Sequence, residues 1–218
     1  MKTNLTSIYS ERFDKNAQQR EKLWEILVKD FFQKFVKKND TVLDLAAGYC
    51  EFINNIECKE KIAVDLNKMT NKKANEDVRV YNSLSTKLPK ELTGKVDVVF
   101  TSNFFEHLDN SEELLDTLKE VGRVLKKGGK IMVLQPNIRL VGGKYWDYID
   151  HTLPLTEKSL TEALELSNFS VTYQKTRFLP YTANSGIPMI PFLIRLYLKV
   201  GLIQFFMGKQ TFIIAKNN

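Results

Sequence analysis

The residues best placed to do chemistry are two aspartates, Asp44 and Asp65. Each closes a short apolar run, VLDLAAGYCEF over 42–52 and IAVDLN over 62–67, and the two acids stand 21 residues apart. An apolar run ending in an acid, then a small-residue turn, then a helix-compatible segment opens a nucleotide-binding βαβ unit. In open α/β sheets the ligand lies beyond the carboxyl ends of the strands, where strand order reverses. The second acid, about 20 residues on, is spaced to accept hydrogen bonds from ribose hydroxyls. An adenosine-containing cofactor is the expected ligand.

The turn itself narrows the choice. A dinucleotide fingerprint needs three glycines, so that bare backbone can approach the pyrophosphate. Here the turn reads Ala46-Ala47-Gly48-Tyr49-Cys50, with one glycine and two side chains where a pyrophosphate would want free amides. No G-x-x-x-x-G-K-[ST] phosphate loop occurs either. A ligand with a ribose but no phosphate fits this turn better, and S-adenosylmethionine is the common one.

Composition sets the class. A chain of 218 residues, 43% hydrophobic and 27% charged, has the length and balance of a single globular domain with a sizeable core. Its first residues lack the apolar stretch of a signal peptide. Cys50 and Cys58 form no C-x-x-C and have no histidine at zinc spacing, so no metal site is expected and a reducing, cytoplasmic setting is. Net charge is +6, but the lysines are scattered and arginines number seven, which argues against a nucleic-acid partner.

The elements that must position these residues alternate between strand and helix, the pattern of a mostly parallel sheet covered on both faces. The periodicity predicts an N-terminal helix over 15–38, its apolar stripe (Leu23, Trp24, Leu27, Val28, Phe31, Phe32, Phe35, Val36) docked on the domain or covering substrate. Strands are expected at 41–46, 61–65, 78–81, 96–101, 130–134, 170–177 and 210–215. A helix capped by Asn110, with Glu113 completing a capping box, carries Leu114, Leu118, Val121 and Leu125 inward and ends at Gly128-Gly129. Thr156 caps another helix, running to Asn168. Residues 1–40 form a helical cap, 41–137 the cofactor core, and 138–218 an acceptor-side region with a helical insertion at 184–208.

With these segments in view, the chain resembles a class I S-adenosylmethionine-dependent methyltransferase. The resemblance is carried by VLDLAAGYCEF, VDL, VDVVFTSNFFEHL and LKEVGRVLKKGGKIMVLQPN, the last with an R-V-L-K-x-G-G turn. It implies a Rossmann-like fold with a seven-stranded sheet in the order 3-2-1-4-5-7-6, the seventh strand antiparallel. Two residues depart from the family pattern, since Ala46 and Cys50 stand where glycines are usual; Cys50, the larger, is placed to crowd the methionine end. The resemblance further implies that Asp44, Ala46, Gly48 and Tyr49 lie under the methionine and ribose. By the same likeness Asp65 holds the ribose hydroxyls and Leu66 packs on the adenine. Asn82, Ser83 and Leu84 sit where many relatives carry an acid for the adenine amino group. Ser102, Asn103 and Phe104 face the sulfonium and the methionine tail.

Such chemistry asks mainly for positioning, helped by a base that removes the acceptor proton. The chain has two histidines, His107 in E-H-L and His151 in Y-W-D-Y-I-D-H, both following predicted strand ends. Imidazole is the natural base at neutral pH, so either is a catalytic candidate, with loop support as the alternative role. Asn137, Tyr145, Trp146, Asp147 and Tyr148 read as an acceptor-facing loop, or as an aromatic latch on the domain edge. The resemblance extends to enzymes of glycan and cell-surface biosynthesis, implying a small, sugar- or phosphate-bearing acceptor. RNA or protein methylation and a noncatalytic cofactor-binding subunit stay open, although no N-P-P-[YF] follows the fourth strand. The apolar stretch at 188–207 is a poor membrane span because it holds Arg195, Lys199, Gln204 and Gly201. It folds over the domain, forms a homo-oligomer face, or lies on a membrane surface.

Overall fold

The computed structural model describes residues 17–181 and 190–218. Seven strands form one sheet: β1 (Thr41–Leu45), β2 (Glu60–Val64), β3 (Val78–Tyr81), β4 (Val96–Ser102), β5 (Leu125–Pro136), β6 (Phe169–Lys175) and β7 (Gln210–Asn217). Their order is β3-β2-β1-β4-β5-β7-β6, and β7 runs antiparallel to both neighbours, as the resemblance implies. Order reverses at β1, which is flanked by β2 and β4, so the crevice beyond Leu45 and Ser102 is the topological switch point.

Period-two alternation splits each strand between two cores. Leu43, Leu45, Ile62, Val64, Ile131, Val133, Ile213 and Ala215 face one side. There they meet α4 (Ser111–Val124) and α6 (Glu157–Leu166) through Leu114, Leu118, Val121, Leu160 and Leu164. Val42, Ala63, Val98, Phe100, Met132, Leu134, Phe212 and Ile214 face the other. Against them lie α1 (Ala17–Asp30) and α2 (Glu51–Asn55). This second core is aromatic: Phe52 stacks on Phe100 at 3.7 Å, and Phe31 stacks on Phe178 at 4.2 Å. Pairs of this kind add about 1 kcal/mol each beyond their burial.

The N-terminal stripe docks on the sheet, but its helix is shorter than the predicted 15–38. It stops at Asp30, and Phe32–Phe35 form a 3-10 turn. Tighter winding there lets Phe31, Phe32 and Val36 all reach the core. The helical cap's first residues lie outside the described residues, as do 184–189 of the insertion. Between β6 and β7 the described residues form α7 (Pro191–Lys199) and α8 (Gly201–Met207), after two single turns, α3 (Thr70–Lys73) and α5 (Ile138–Val141), earlier in the chain.

Asn110 caps α4 through Glu113 N at 3.0 Å, while Glu113 reaches back to the amide of Asp109 rather than to Asn110 itself. The helix does not run to Gly128-Gly129. It ends at Val124, and the glycines lie inside β5 at an irregularity where Val96 pairs with Leu125 but Val98 with Lys130. Gly128 takes φ +75° there, and a Cβ on Gly129 would press within 3.1 Å of the Asp97 carbonyl. The predicted last helix is likewise shorter, Glu157–Leu166, with Thr156 and Ser159 forming the capping box and Asn168 at φ +66° turning the chain into β6.

Candidate active site

Every residue assigned to the cofactor lies at or just beyond the carboxyl end of a parallel strand, so the sheet places them on one rim. After β1 the chain makes a loop in which three of five residues are left-handed: Ala46 at φ 58°, Gly48 at 54° and Cys50 at 62°. That conformation explains why glycine suits positions 46 and 50, and it shows what Ala46 and Cys50 cost: about 1–2 kcal/mol of strain for a non-glycine residue. The Cys50 side chain does not crowd the methionine end. It is fully buried in the aromatic core, its sulfur 3.8 Å from the Thr70 carbonyl. Burial pushes its thiol far up, so it is no nucleophile at neutral pH.

Asp65 organises this loop. One carboxylate oxygen accepts from Gly48 N at 2.7 Å and the other from Asn67 N at 2.7 Å. Each oxygen keeps a second lone pair for a hydroxyl. Thr70 Oγ1 donates to Gly48 O at 2.8 Å, closing the loop from the other side. Asp44 is buried at 4% exposure on the α2 face, where it takes a backbone hydrogen bond from Ile53. Burial, with Glu51 next and Asp65 as a smaller contributor, holds its carboxyl well above the usual range. Asp65 is also raised by burial, against the pull of its backbone donors.

Tyr49 is nearly buried, with the Arg20 guanidinium 5.2 Å and the Lys73 ammonium 5.0 Å from its ring centre. Arg20 also pairs with Glu51, tying α1 to the loop. Leu66 and Leu84 stand 61% and 46% exposed, an apolar shelf beside Asp65. Asn82 donates to the Asp65 carbonyl at 2.9 Å, and the Ser83 hydroxyl is buried without a hydrogen-bond partner. An orphaned hydroxyl beside an apolar shelf and a ribose-spaced acid fits an adenosyl ligand. Ser102 closes β4, left-handed Asn103 follows it, and Phe104 packs against the core with its ring tilted 50° to that of Phe105.

The two candidate bases lie side by side. A 3-10 turn, Phe105–His107, carries Glu106 and His107, and Thr152 ties it to the second segment. Thr152 N donates to Glu106 O at 2.8 Å, and its hydroxyl donates to Leu108 O at 2.6 Å. His107 Nδ1 lies 2.9 Å from the Asp150 carbonyl and 3.5 Å from its carboxylate. His151 stacks on Tyr148 at 4.9 Å, touches Tyr145 at 4.7 Å, and has Nδ1 3.3 Å from the Tyr181 hydroxyl. Glu106 is 1% exposed; Gln135 donates to it at 2.8 Å, and burial raises its carboxyl above the usual range. Glu106, His107 and His151 each offer one ligand atom, all within 4.8 Å of one another. Cysteine spacing in the sequence carried no sign of this group, which has the composition of a divalent-metal site as well as of a proton relay.

The acceptor loop divides. Trp146 and Asp147 are exposed and Tyr148 half-buried, as an acceptor-facing surface requires. Two members are corrected. Asn137 is buried with its side chain spent on Glu157, Thr211 and the Arg139 amide, so it braces β5 against β7 and α6. Tyr145 is fully buried with its hydroxyl on the Leu153 carbonyl at 2.6 Å, a support beneath His151. Sequence reasoning missed Glu106, Gln135, Asp150 and Tyr181. The E-H and D-H pairs were the available signal, but nothing local says that they meet.

Residues 16–174 match the family model described as "Methyltransferase domain". No curated protein matches the sequence significantly. Among solved structures, a Haloferax volcanii chain in complex with the Trm112 methyltransferase activator superposes at TM-score 0.70 with 15% identity, over 97% of this chain and 96% of that one. A SAM-dependent methyltransferase from Archaeoglobus fulgidus gives 0.65 with 22% identity, over 94% and 99%. A third, from Thermotoga maritima, gives 0.68 with 16% identity, over 98% and 100%. At these identities the structures share the fold, and the family model covers most of the chain. The chain is thus an S-adenosylmethionine-dependent enzyme, and it belongs to the methyltransferase domain family.

Proposed function

We propose that this methyltransferase acts on a hydroxyl of a small, sugar- or phosphate-bearing metabolite, a precursor of cell-surface glycan. The observation that carries the reading is the convergence of His107, His151 and Glu106 at the strand-end rim. S-adenosylmethionine supplies a methyl group already activated on its sulfonium. The protein's own part is to hold the acceptor and take its proton. The Asp150 carbonyl engages His107 Nδ1, which leaves Nε2 as the basic nitrogen. His107, the oriented imidazole, receives the acceptor proton. His151 sets the approach from between Tyr145 and Tyr148. Exposed Trp146 and Asp147 give a stacking face and a hydroxyl acceptor, a pairing suited to a sugar ring.

A second reading, a chain that works with a partner subunit, is supported by the Haloferax relative's complex with an activator. Transfer of radiolabelled methyl from S-adenosylmethionine into fractionated cell extract separates the two. Label in the small aqueous, glycan or lipid-linked pool supports the proposal, and label in RNA or protein overturns the acceptor class. No transfer by the isolated chain despite cofactor binding favours the partner reading.

A further inference from the structure

The last quarter of the chain is chemically unlike the rest. After Glu165 there is no Asp or Glu, while Lys175, Arg177, Arg195, Lys199, Lys209 and Lys216 remain. Lys and Arg total 32 and Asp and Glu 26, so the first 165 residues hold 26 of each sign. The whole net charge of +6 lies in the segment that carries α7 and α8.

That helix pair is amphipathic in an unusual sense. Ile194, Tyr197 and Gln204 point inward, and Tyr197 donates its hydroxyl to the Phe178 carbonyl while Gln204 donates to the Tyr197 and Leu198 carbonyls. The outward side is apolar as well. Phe192 is 69% exposed, Leu202 68%, Phe205 58% and Phe206 69%, with Leu196 at 40%. Positions 192 and 196 share one face of α7, and 202, 205 and 206 share one face of α8. Exposed large apolar groups gathered this way mark an interaction surface rather than scattered surface residues. Cations rim them: Arg177 lies 5.2 Å from the Phe205 ring centre and donates to its carbonyl, and exposed Lys199 closes α7. Asp30 of α1 pairs with Arg195 and is the acid that the described ion pairs place on α7.

We propose that α7 and α8 dock this methyltransferase on the anionic surface of a lipid bilayer. Apolar side chains reaching the acyl boundary, with Lys and Arg at headgroup level, are the signature of an interfacial helix. Among the described residues no helix is long and apolar enough to cross a membrane, so the contact is peripheral. A second copy is a poorer occupant. A self-complementary face would set Arg177, Lys199 and Lys209 near their own counterparts in a segment without acids. Anionic headgroups complement the same charges. The chain leaves α8 through Gly208 into β7, and Asn137 N at the catalytic rim donates to Lys209 O at 3.0 Å. The docked surface therefore adjoins the rim where the acceptor would enter.

The test is co-sedimentation of the full chain with vesicles of equimolar phosphatidylcholine and phosphatidylglycerol, against phosphatidylcholine alone. The expected result is binding to the anionic vesicles, weaker by about tenfold or more on neutral ones and for the Phe192→Ser/Phe206→Ser and Lys199→Glu variants. These positions are exposed, so unchanged thermal melting confirms that the variants fold. No sedimentation with anionic vesicles, or sedimentation indifferent to all three substitutions, overturns the proposal. A dimer in light scattering that Phe192→Ser/Phe206→Ser dissolves, without vesicle binding, assigns the surface to a second copy. Methyl transfer to a soluble acceptor is measured separately, so failure of docking and failure of the proposed chemistry are distinguishable.

Discussion

The rings of His107 and His151 meet with centroids 5.0 Å apart and planes at 70° to each other. Asp150, next to one in sequence and bonded to the other, couples their positions. The pair should therefore act together. His107→Ala is expected to cut kcat by about 10² or more with cofactor affinity unchanged by calorimetry. His151→Ala is expected to lower kcat and raise the acceptor KM together. Full turnover in both variants would leave the reaction to positioning alone.

The same residues admit a metal, and a chelator decides between the roles. A proton-relay role predicts that turnover survives exhaustive treatment with EDTA. If chelation abolishes turnover and a divalent cation restores it, and Glu106→Gln or His151→Ala removes that restoration, the cluster is a metal centre instead.

Asp65 brackets the loop through the Gly48 and Asn67 amides, and its ribose spacing makes a prediction. Asp65→Ala should weaken S-adenosylmethionine at least about tenfold in calorimetry. Asp65→Asn keeps one acceptor oxygen and should recover part of that loss. Unchanged affinity in Asp65→Ala would show that the cofactor register assigned to this rim is wrong.

Left-handed backbone at Ala46 and Gly48 makes a paired prediction. A Cβ on Gly48 meets nothing within 4 Å, so Gly48→Ala adds about 1–2 kcal/mol of strain, partly offset by the lower entropy of an unfolded alanine, for a net loss of about 0.5 kcal/mol. Ala46→Gly relieves the same strain against an unfolded-state entropy cost, for a net gain of about 0.5 kcal/mol. Urea unfolding of both variants measures the difference. Opposite effects of similar size are expected, because strain and glycine's entropy both change sign between the two substitutions.

Glu106 carries a pH signature. Burial raises its folded-state affinity for a proton above that of the unfolded chain, so the folded state binds more protons as pH climbs past the ordinary carboxylate range. Its stabilising contribution is present at low pH and is lost as pH rises through the raised value. Glu106→Gln should match the wild type in stability at the acid end, gain over it as pH rises from the ordinary carboxylate range through the raised value, and keep a constant advantage above that, by thermal melts. Asp44, raised in the same direction, remains in both proteins and cancels from the comparison.

Periodicity was enough for the strands, and the apolar runs closing on Asp44 and Asp65 for placing both acids at strand ends, because those are local facts. Alternation in TVLDL or QTFIIAKN decides which side chains face which core, and an acid after a strand must sit at the rim. The strand order itself came from the resemblance. Helix ends were less legible: Asp30 and Val124 end their helices where packing, not a glycine, turns the chain. Cys50 illustrates the difference most directly. Its sequence position marks it as a substituted glycine, but only the left-handed backbone at φ 62° sends the thiol into the aromatic core instead of toward the ligand. The cluster of Glu106, His107 and His151 lay beyond any local reading. Glu106 and His107 follow β4, His151 follows β5, Gln135 is inside β5 and Tyr181 comes after β6, so their meeting depends on parallel strands ending at one height. Sequence by itself determined which residue types were available and which strand ends they follow. Tertiary structure decided that Asn137 and Tyr145 are braces, that two histidines make one site, and that the apolar helices keep an outward face.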